Sequence, residues 1–221
     1  MEGFRFGILH DAAPLILEGL RVTVYVSLLS FALALVIGVA VGILRSKSSR
    51  LRVVFSPYVE LFRGTPLLIQ LFFIYYGLPT MGLTLDSFSA GVLGLGLNGG
   101  AYISEIIRGA LLSVDKGQQD AAFSFGFSWL QSMIYVILPQ AVSVALPPLV
   151  SSFSALLKES SLVSVLAITE LTRVSQLIYT RTFRALEVYL AIGVLYFLMT
   201  WFVARLSKRL ERKFRVSGRI P

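Results

Sequence analysis

Cysteine is absent from this chain of 221 residues, and His10 is the single histidine. Disulfides, cysteine-bound zinc and iron–sulfur clusters are therefore excluded, and one histidine cannot build a multi-histidine metal site. Charge is scarce: 14% of residues are Asp, Glu, Lys or Arg, against roughly 25% in soluble domains. There is no Gly-Lys dipeptide, so no Walker A loop is present and the chain is not itself an ATPase of that kind. Near the N-terminus, Glu2, Asp11, Pro14 and Glu18 interrupt the basic start and clean apolar stretch that a cleavable signal would need. The first apolar segment is expected to act as its own insertion signal.

What the chain does have is apolar surface. Hydrophobic residues make up 56% of it and mean hydropathy is +0.78. One aqueous core cannot hide that much, so the surplus must face lipid. Formal net charge is +8. The basic residues sit at the ends of apolar runs, which speaks for membrane orientation and against nucleic acid as a partner. A spanning helix needs about 20 apolar residues, and five segments fit: 20–44, 56–78, 88–112, 129–156 and 186–206. Residues 1–19 read as an interfacial helix. Residues 158–185 are too polar to span and too apolar for a free loop, so short helices folded back on one side are expected. No linker divides the chain, which predicts one all-α domain over 1–221. Arg45, Lys47, Arg50 and Arg52 follow the first segment, and Arg205, Lys208, Arg209, Arg212, Lys213, Arg215 and Arg219 follow the fifth. Arg108 and Lys116, around the loop after the third, join them, while Arg5, Arg21, Lys158, Arg173, Arg181 and Arg184 fall on the other side. The bias puts the C-terminus in the cytoplasm and the N-terminus outside.

Between the third and fourth segments, Asp115 with Gln118 three residues on matches a capping-box start. Gly126 suits a helical stop, where a left-handed residue is needed. A short helix over about 117–126 follows, with Ala121 and Ala122 adjacent. Small side chains there let another surface approach the backbone. The residues alone are equally consistent with a loop helix resting on the membrane.

Asp120-Ala121-Ala122, then Gly126, then Val136-Ile137-Leu138-Pro139 resembles the EAA signature of bacterial ABC importer permeases. The spacing matches throughout, with Asp for the usual Glu and Val for the usual Ile. Arg63-Gly-Thr-Pro-Leu-Leu-Ile-Gln70, Gly100-Ala-Tyr-Ile-Ser-Glu-Ile-Ile-Arg-Gly109 and Lys158-Glu-Ser-Ser-Leu-Val-Ser-Val165 are similar to the polar amino acid branch of that family, the branch of the histidine, arginine and glutamine permeases. The resemblance implies the type I ABC importer permease fold: five transmembrane helices and a cytoplasmic coupling helix carrying Gln118, Asp120, Ala121, Ala122 and Gly126. It implies further a separate ABC ATPase subunit that uses ATP and Mg, a second permease subunit, an external amino acid-binding protein, and a place in the bacterial inner membrane. This chain would then be no enzyme and bind no cofactor. The competing reading is an ion-coupled secondary transporter or channel working without an ATPase, for which five spans lacking an inverted repeat are few.

Gly94-x-Gly96-x-x-Gly99 matches a dinucleotide fingerprint on paper, but it sits inside an apolar span with no βαβ pattern around it. Glycine there, and in Gly38-x-x-x-Gly42 and Gly96-x-x-x-Gly100, instead predicts close helix packing. Candidate substrate-contacting residues are polar groups at membrane depth. Asn98, the chain's one asparagine, shares a helical face with Tyr102 and Glu105. An intramembrane carboxylate is a functional candidate, although Glu105 could simply pair with Arg108. At the end of the fourth span, Glu159 offers a partner for an ammonium group, and Ser160 and Ser161 add hydroxyls. The alternative is a local Lys158–Glu159 ion pair. Gly64 and Thr65 precede Pro66, which should break the second span, and a break at that depth must be buried in protein or line a cavity. Glu105 and Glu159 as inward charges favour basic amino acids.

Overall fold

The computed structural model describes residues 6–216, and no strand occurs among them. Ten α-helices follow one another: α1 (Phe6–Asp11), α2 (Ala13–Lys47), α3 (Ser49–Gly64), α4 (Leu67–Phe72), α5 (Ser87–Leu112), α6 (Lys116–Ser124), α7 (Trp129–Ser132), α8 (Leu138–Glu159), α9 (Leu171–Thr182) and α10 (Ala185–Val216). Among the described residues, four helical stretches are long and apolar enough to cross a membrane: 13–47, 87–112, 129–166 and 185–209. The bent pair of α3 with residues 67–81 passes the same test only when its two parts are taken together, and counts as a fifth if they form one broken span. Arg5 and Arg219, used above to orient the chain, lie outside the described residues.

At three places the helices depart from the expected segments. Only α1 stands apart at the N-terminus, and α2 runs unbroken for 35 residues from Ala13. Residues 13–19, expected in an interfacial helix, continue into α2, and Glu18 and Arg21 pair with each other at 3.4 Å on its exposed face. The second segment is not straight: it turns through 108° between α3 and the helical residues after Pro66. The fourth begins with α7, passes through a π turn at Met133–Ile137 just before Pro139, and ends in a 3-10 turn at Ser160–Leu166. A π turn beside a proline is a local change of winding inside a continuing helix. Gln140 Nε2 donates to Val136 O at 2.9 Å, next to the carbonyl that the proline leaves free.

Helix α5 is the axis of the molecule, and its glycines are why. A Cβ placed on Gly96 would lie 2.5 Å from Leu33, and one on Gly100 would lie 3.0 Å from Ile37. Across the interface, a Cβ on Gly38 would come within 2.5 Å of Ile103, and one on Gly42 within 2.8 Å of the Ser104 carbonyl. The two small-residue motifs thus face each other, and α2 and α5 meet backbone to backbone. Lipid gives no hydrophobic drive to such a pair, so close van der Waals packing holds it. Gly91 and Gly94 do the same against Ile168 and Leu71.

Candidate functional site

The break after α3 frees carbonyls that lipid cannot satisfy. Pro66 adopts φ −64° and ψ 134° and has no N–H to offer. The donors come from side chains. Thr65 Oγ1 donates to Leu61 O at 2.7 Å. Gln70 Nε2 donates to Phe62 O at 2.9 Å and to Thr65 O at 3.0 Å. From α5, Asn98 Nδ2 donates to Phe62 O at 2.9 Å and to Gln70 Oε1 at 3.0 Å. Asn98 is 5% exposed. The structure thus places Asn98 and Thr65 together, as parts of a clamp that holds the break. Gln70, which sequence reasoning quoted only within a motif, is the centre of that clamp. Gly64 stays exposed, with open space where a Cβ would be.

One turn along α5 from Asn98, Tyr102 is 45% exposed, and the Arg63 guanidinium stands 5.3 Å above its ring. This cation–π pair carries polar groups onto a membrane-depth surface. Glu105 does not join them. Its carboxylate bridges Arg45 of α2 and Arg108, the latter at 2.7 Å. Arg45 is itself buried and reaches Ser56 Oγ of α3 at 3.4 Å. Glu105 therefore ties three helices together, and the expected Arg108 contact is half of its role. The sequence holds no local signal for Arg45, which lies 60 positions away.

At the end of α8, Glu159 and Lys158 are both exposed, and no ion pair joins them. Ser160 is buried and its hydroxyl donates back to Leu157 O at 2.8 Å. Ser161 is half-buried. Leu156 packs on Gly99 of α5, so this helix end lies beside the stretch that carries Asn98 and Tyr102. Of the expected polar residues, Glu159, Tyr102 and Gly64 face outward, while Asn98, Thr65, Glu105 and Ser160 are engaged within the chain.

The short helix between the third and fourth spans is α6. Asp115 caps it through Gly117 N at 2.7 Å. Gln118 does not complete a capping box; the complete box is Ser128 with Gln131, at the start of α7. The end of α6 is a Schellman motif: Phe127 N donates to Ala122 O at 3.0 Å, Gly126 N donates to Phe123 O at 2.9 Å, and Gly126 has φ +80°. Ala122 is buried, whereas Gln118, Asp120, Ala121 and Gly126 are exposed. Phe125 is 84% exposed. Phe123 and Phe127 beside it are 44% and 39% exposed.

The opposite end of the molecule has its own anchor, absent from the sequence expectations. Glu170 is fully buried and caps α9 through Thr172 N and Arg173 N at 2.9 and 2.8 Å. Tyr196 of α10 donates to it at 2.7 Å. Leu171 N donates to Thr23 of α2 at 3.1 Å. Burial pushes the Glu170 carboxyl above the usual glutamate range, against the pull of these donors. Together the contacts pin α9 to Thr23 of α2 and Tyr196 of α10.

Comparison with known proteins fits this architecture. Residues 34–216 match the family model described as binding-protein-dependent transport system inner membrane component. The glutamine transport system permease protein GlnP of Escherichia coli is 38% identical over 216 residues, 96% of this chain and 99% of that protein. The L-cystine transport system permease protein TcyB of Bacillus subtilis is 39% identical over 202 residues, 90% of this chain and 86% of that protein. The crystal structure of an amino acid ABC transporter with histidines superposes with a TM-score of 0.89 at 38% identity, covering 96% of this chain and 100% of that one.

Proposed function

This chain belongs to the family of binding-protein-dependent transport system inner membrane components and is an amino acid ABC transporter permease subunit; on that premise we propose that it forms half of a translocation path for polar, and in particular basic, amino acids. A permease subunit is not itself an enzyme. ATP and Mg belong to an ATPase partner, which receives α6. Asp120, Ala121 and the exposed Phe125 supply the docking surface, with Gln118 at its edge and Gly126 fixing its end. A second permease subunit closes the path on the other side, and an external binding protein delivers the amino acid. ATP binding closes the ATPases and turns the path outward, and hydrolysis resets it. Such cycling requires ATP to favour one state over the other. The basic residues in the last turns of α10, among them Arg205, Lys208 and Arg209, favour a cytoplasmic C-terminus and an N-terminus outside.

The observation that carries the substrate reading is Glu159. It is a carboxylate at a helix end, exposed and without an ion-pair partner among the described residues. An ammonium or guanidinium group would supply the missing charge. Tyr102 and the backbone at Gly64 and Thr65 border the same path, with Ser161 beside Glu159. Asn98 and Ser160 act through the shape they give to the break and to the helix end. Glu105 no longer supports the choice of basic amino acids, because two arginines already neutralise it. The relatives reinforce only the broader class, since GlnP carries the name of a glutamine system and TcyB that of a cystine system.

Glu159→Gln tests the assignment. Binding of arginine and lysine to the reconstituted transporter should weaken about tenfold or more, a charge-assisted bond being worth roughly 1.5–3 kcal/mol. Glutamine binding should change less. Equal loss for all of them would move Glu159 to the backbone ammonium or to a structural role.

A further inference from the structure

Helix α6 is joined to the fourth span by a corner with little slack. From Phe125 to Ser128 every backbone N–H is donated within it. Phe125 N donates to Ala121 O at 3.1 Å, Gly126 N to Phe123 O at 2.9 Å and Phe127 N to Ala122 O at 3.0 Å. Ser128 N donates to Gln131 Oε1 at 2.8 Å. The Phe127 ring stands edge-on to Tyr135 of the π turn, with centroids 6.5 Å apart. Backbone bonded in this way opens as a unit. A displacement of α6 therefore reaches Trp129, the first residue of α7, without being lost in a loop.

The neighbouring end of α2 is fixed. The buried Arg45 is held by Glu105 of α5 and reaches Ser56 of α3. Lys47, two residues on, is the last residue of α2. Ser48 then caps α3 directly, its side chain accepting from Arg50 N at 3.2 Å. Between this post and the corner lies a cavity of about 240 Å³, lined among others by Lys47 of α2, Leu111 and Leu112 of α5, Gln119 of α6, Trp129 of α7 and Met133 of the π turn. The Lys47 ammonium stands 5.2 Å from the centre of the Trp129 ring, a cation–π pair. Lysine and tryptophan at the ends of spans are commonly separate interface anchors. Here they meet, one on the fixed post and one on the piece that α6 carries.

We propose that Lys47 and Trp129 are positioning residues for coupling. Their contact sets the resting place of the α6–α7 corner against the end of α2, and the cavity gives that corner room to shift when the ATPase moves α6. The proposal rests on the assignment of α6 to the ATPase made above.

The test uses the full transporter, with its ATPase subunit and binding protein, in proteoliposomes. The reading is ATP hydrolysed per amino acid taken up. Lys47→Gln should raise that ratio about two- to fivefold, the shift that one exposed cation–π contact can cause. Trp129→Leu should do the same, and the double variant should rise no further, because both remove one contact. Lys47→Arg, which keeps the cation over the ring, should restore the ratio. The melting temperature and the amount of ATPase subunit co-purified should stay unchanged in all four. An unchanged ratio in Lys47→Gln would overturn the proposal. So would effects that multiply in the double variant, since the two residues would then be independent anchors. Loss of the co-purified ATPase would overturn it too, by making the pair part of the docking seat. Uptake by the unaltered transporter that ignores ATP would remove the reading of α6 itself, and this proposal with it.

Discussion

Both donated hydrogen bonds of Asn98 end inside the protein, on Phe62 O and Gln70 Oε1. Asn98→Ala leaves the Gln70 carbonyl oxygen unpartnered at membrane depth and should lower stability by about 1–3 kcal/mol. Thermal unfolding of the purified transporter reads this directly; an unchanged melting temperature would mean that water or lipid reaches the break. Glu105 follows the same logic with charge. Glu105→Gln strands the buried Arg45, and removing one partner of a buried pair costs about 3–5 kcal/mol. Arg108 is 27% exposed along its side chain, so Arg108→Ala should cost much less. Comparable losses in the two variants would contradict the bridging role. These residues also mark what sequence could reveal at this scale. Asn98 and Glu105 stand out as polar groups in an apolar run. Their partners do not, because Gln70 lies 28 positions away and Arg45 lies 60, and a single sequence carries no distance information.

Among the elements, α6 is the one to which the proposed function assigns coupling. Its Schellman stop needs the left-handed φ of Gly126, and no neighbour lies where a Cβ would go. Gly126→Ala therefore probes backbone strain alone, at about 1–2 kcal/mol. The spans should insert normally while amino acid transported per ATP hydrolysed falls; an unchanged ratio would remove the coupling role from α6. The stop was legible because glycine after a short helix has one common explanation. The start was legible in position but not in detail: Asp115 takes Gly117 N, and the spacing that predicted a capping box there is realised at Ser128 and Gln131 instead. The break at Pro66 could be read from proline chemistry, whereas its 108° bend follows from the clamp and could not. The small-residue spacing of α2 and α5 announced close packing because a small-xxx-small face has few other uses in lipid. The start of α2 was not legible, since residues 13–19 suit a surface helix as well as the first turns of a continuous one.

As a whole, the molecule is a glycine-packed axis with two functional ends. Helix α6 lies at one end, the end the proposed function gives to the ATPase. The α9 cap, held by Glu170, faces the other. Between them the exposed polar groups Tyr102, Arg63 and Glu159 interrupt a surface that is otherwise built for lipid. Under the proposed function, transport against a gradient draws its energy from the ATPase partner. The most direct test is uptake into proteoliposomes that contain this chain with its ATPase subunit and binding protein, offered arginine, lysine, histidine, glutamine and glutamate with and without ATP at the cytoplasmic face. The account predicts accumulation that requires ATP, led by the basic amino acids. Flux that follows an ion gradient and ignores ATP would contradict it.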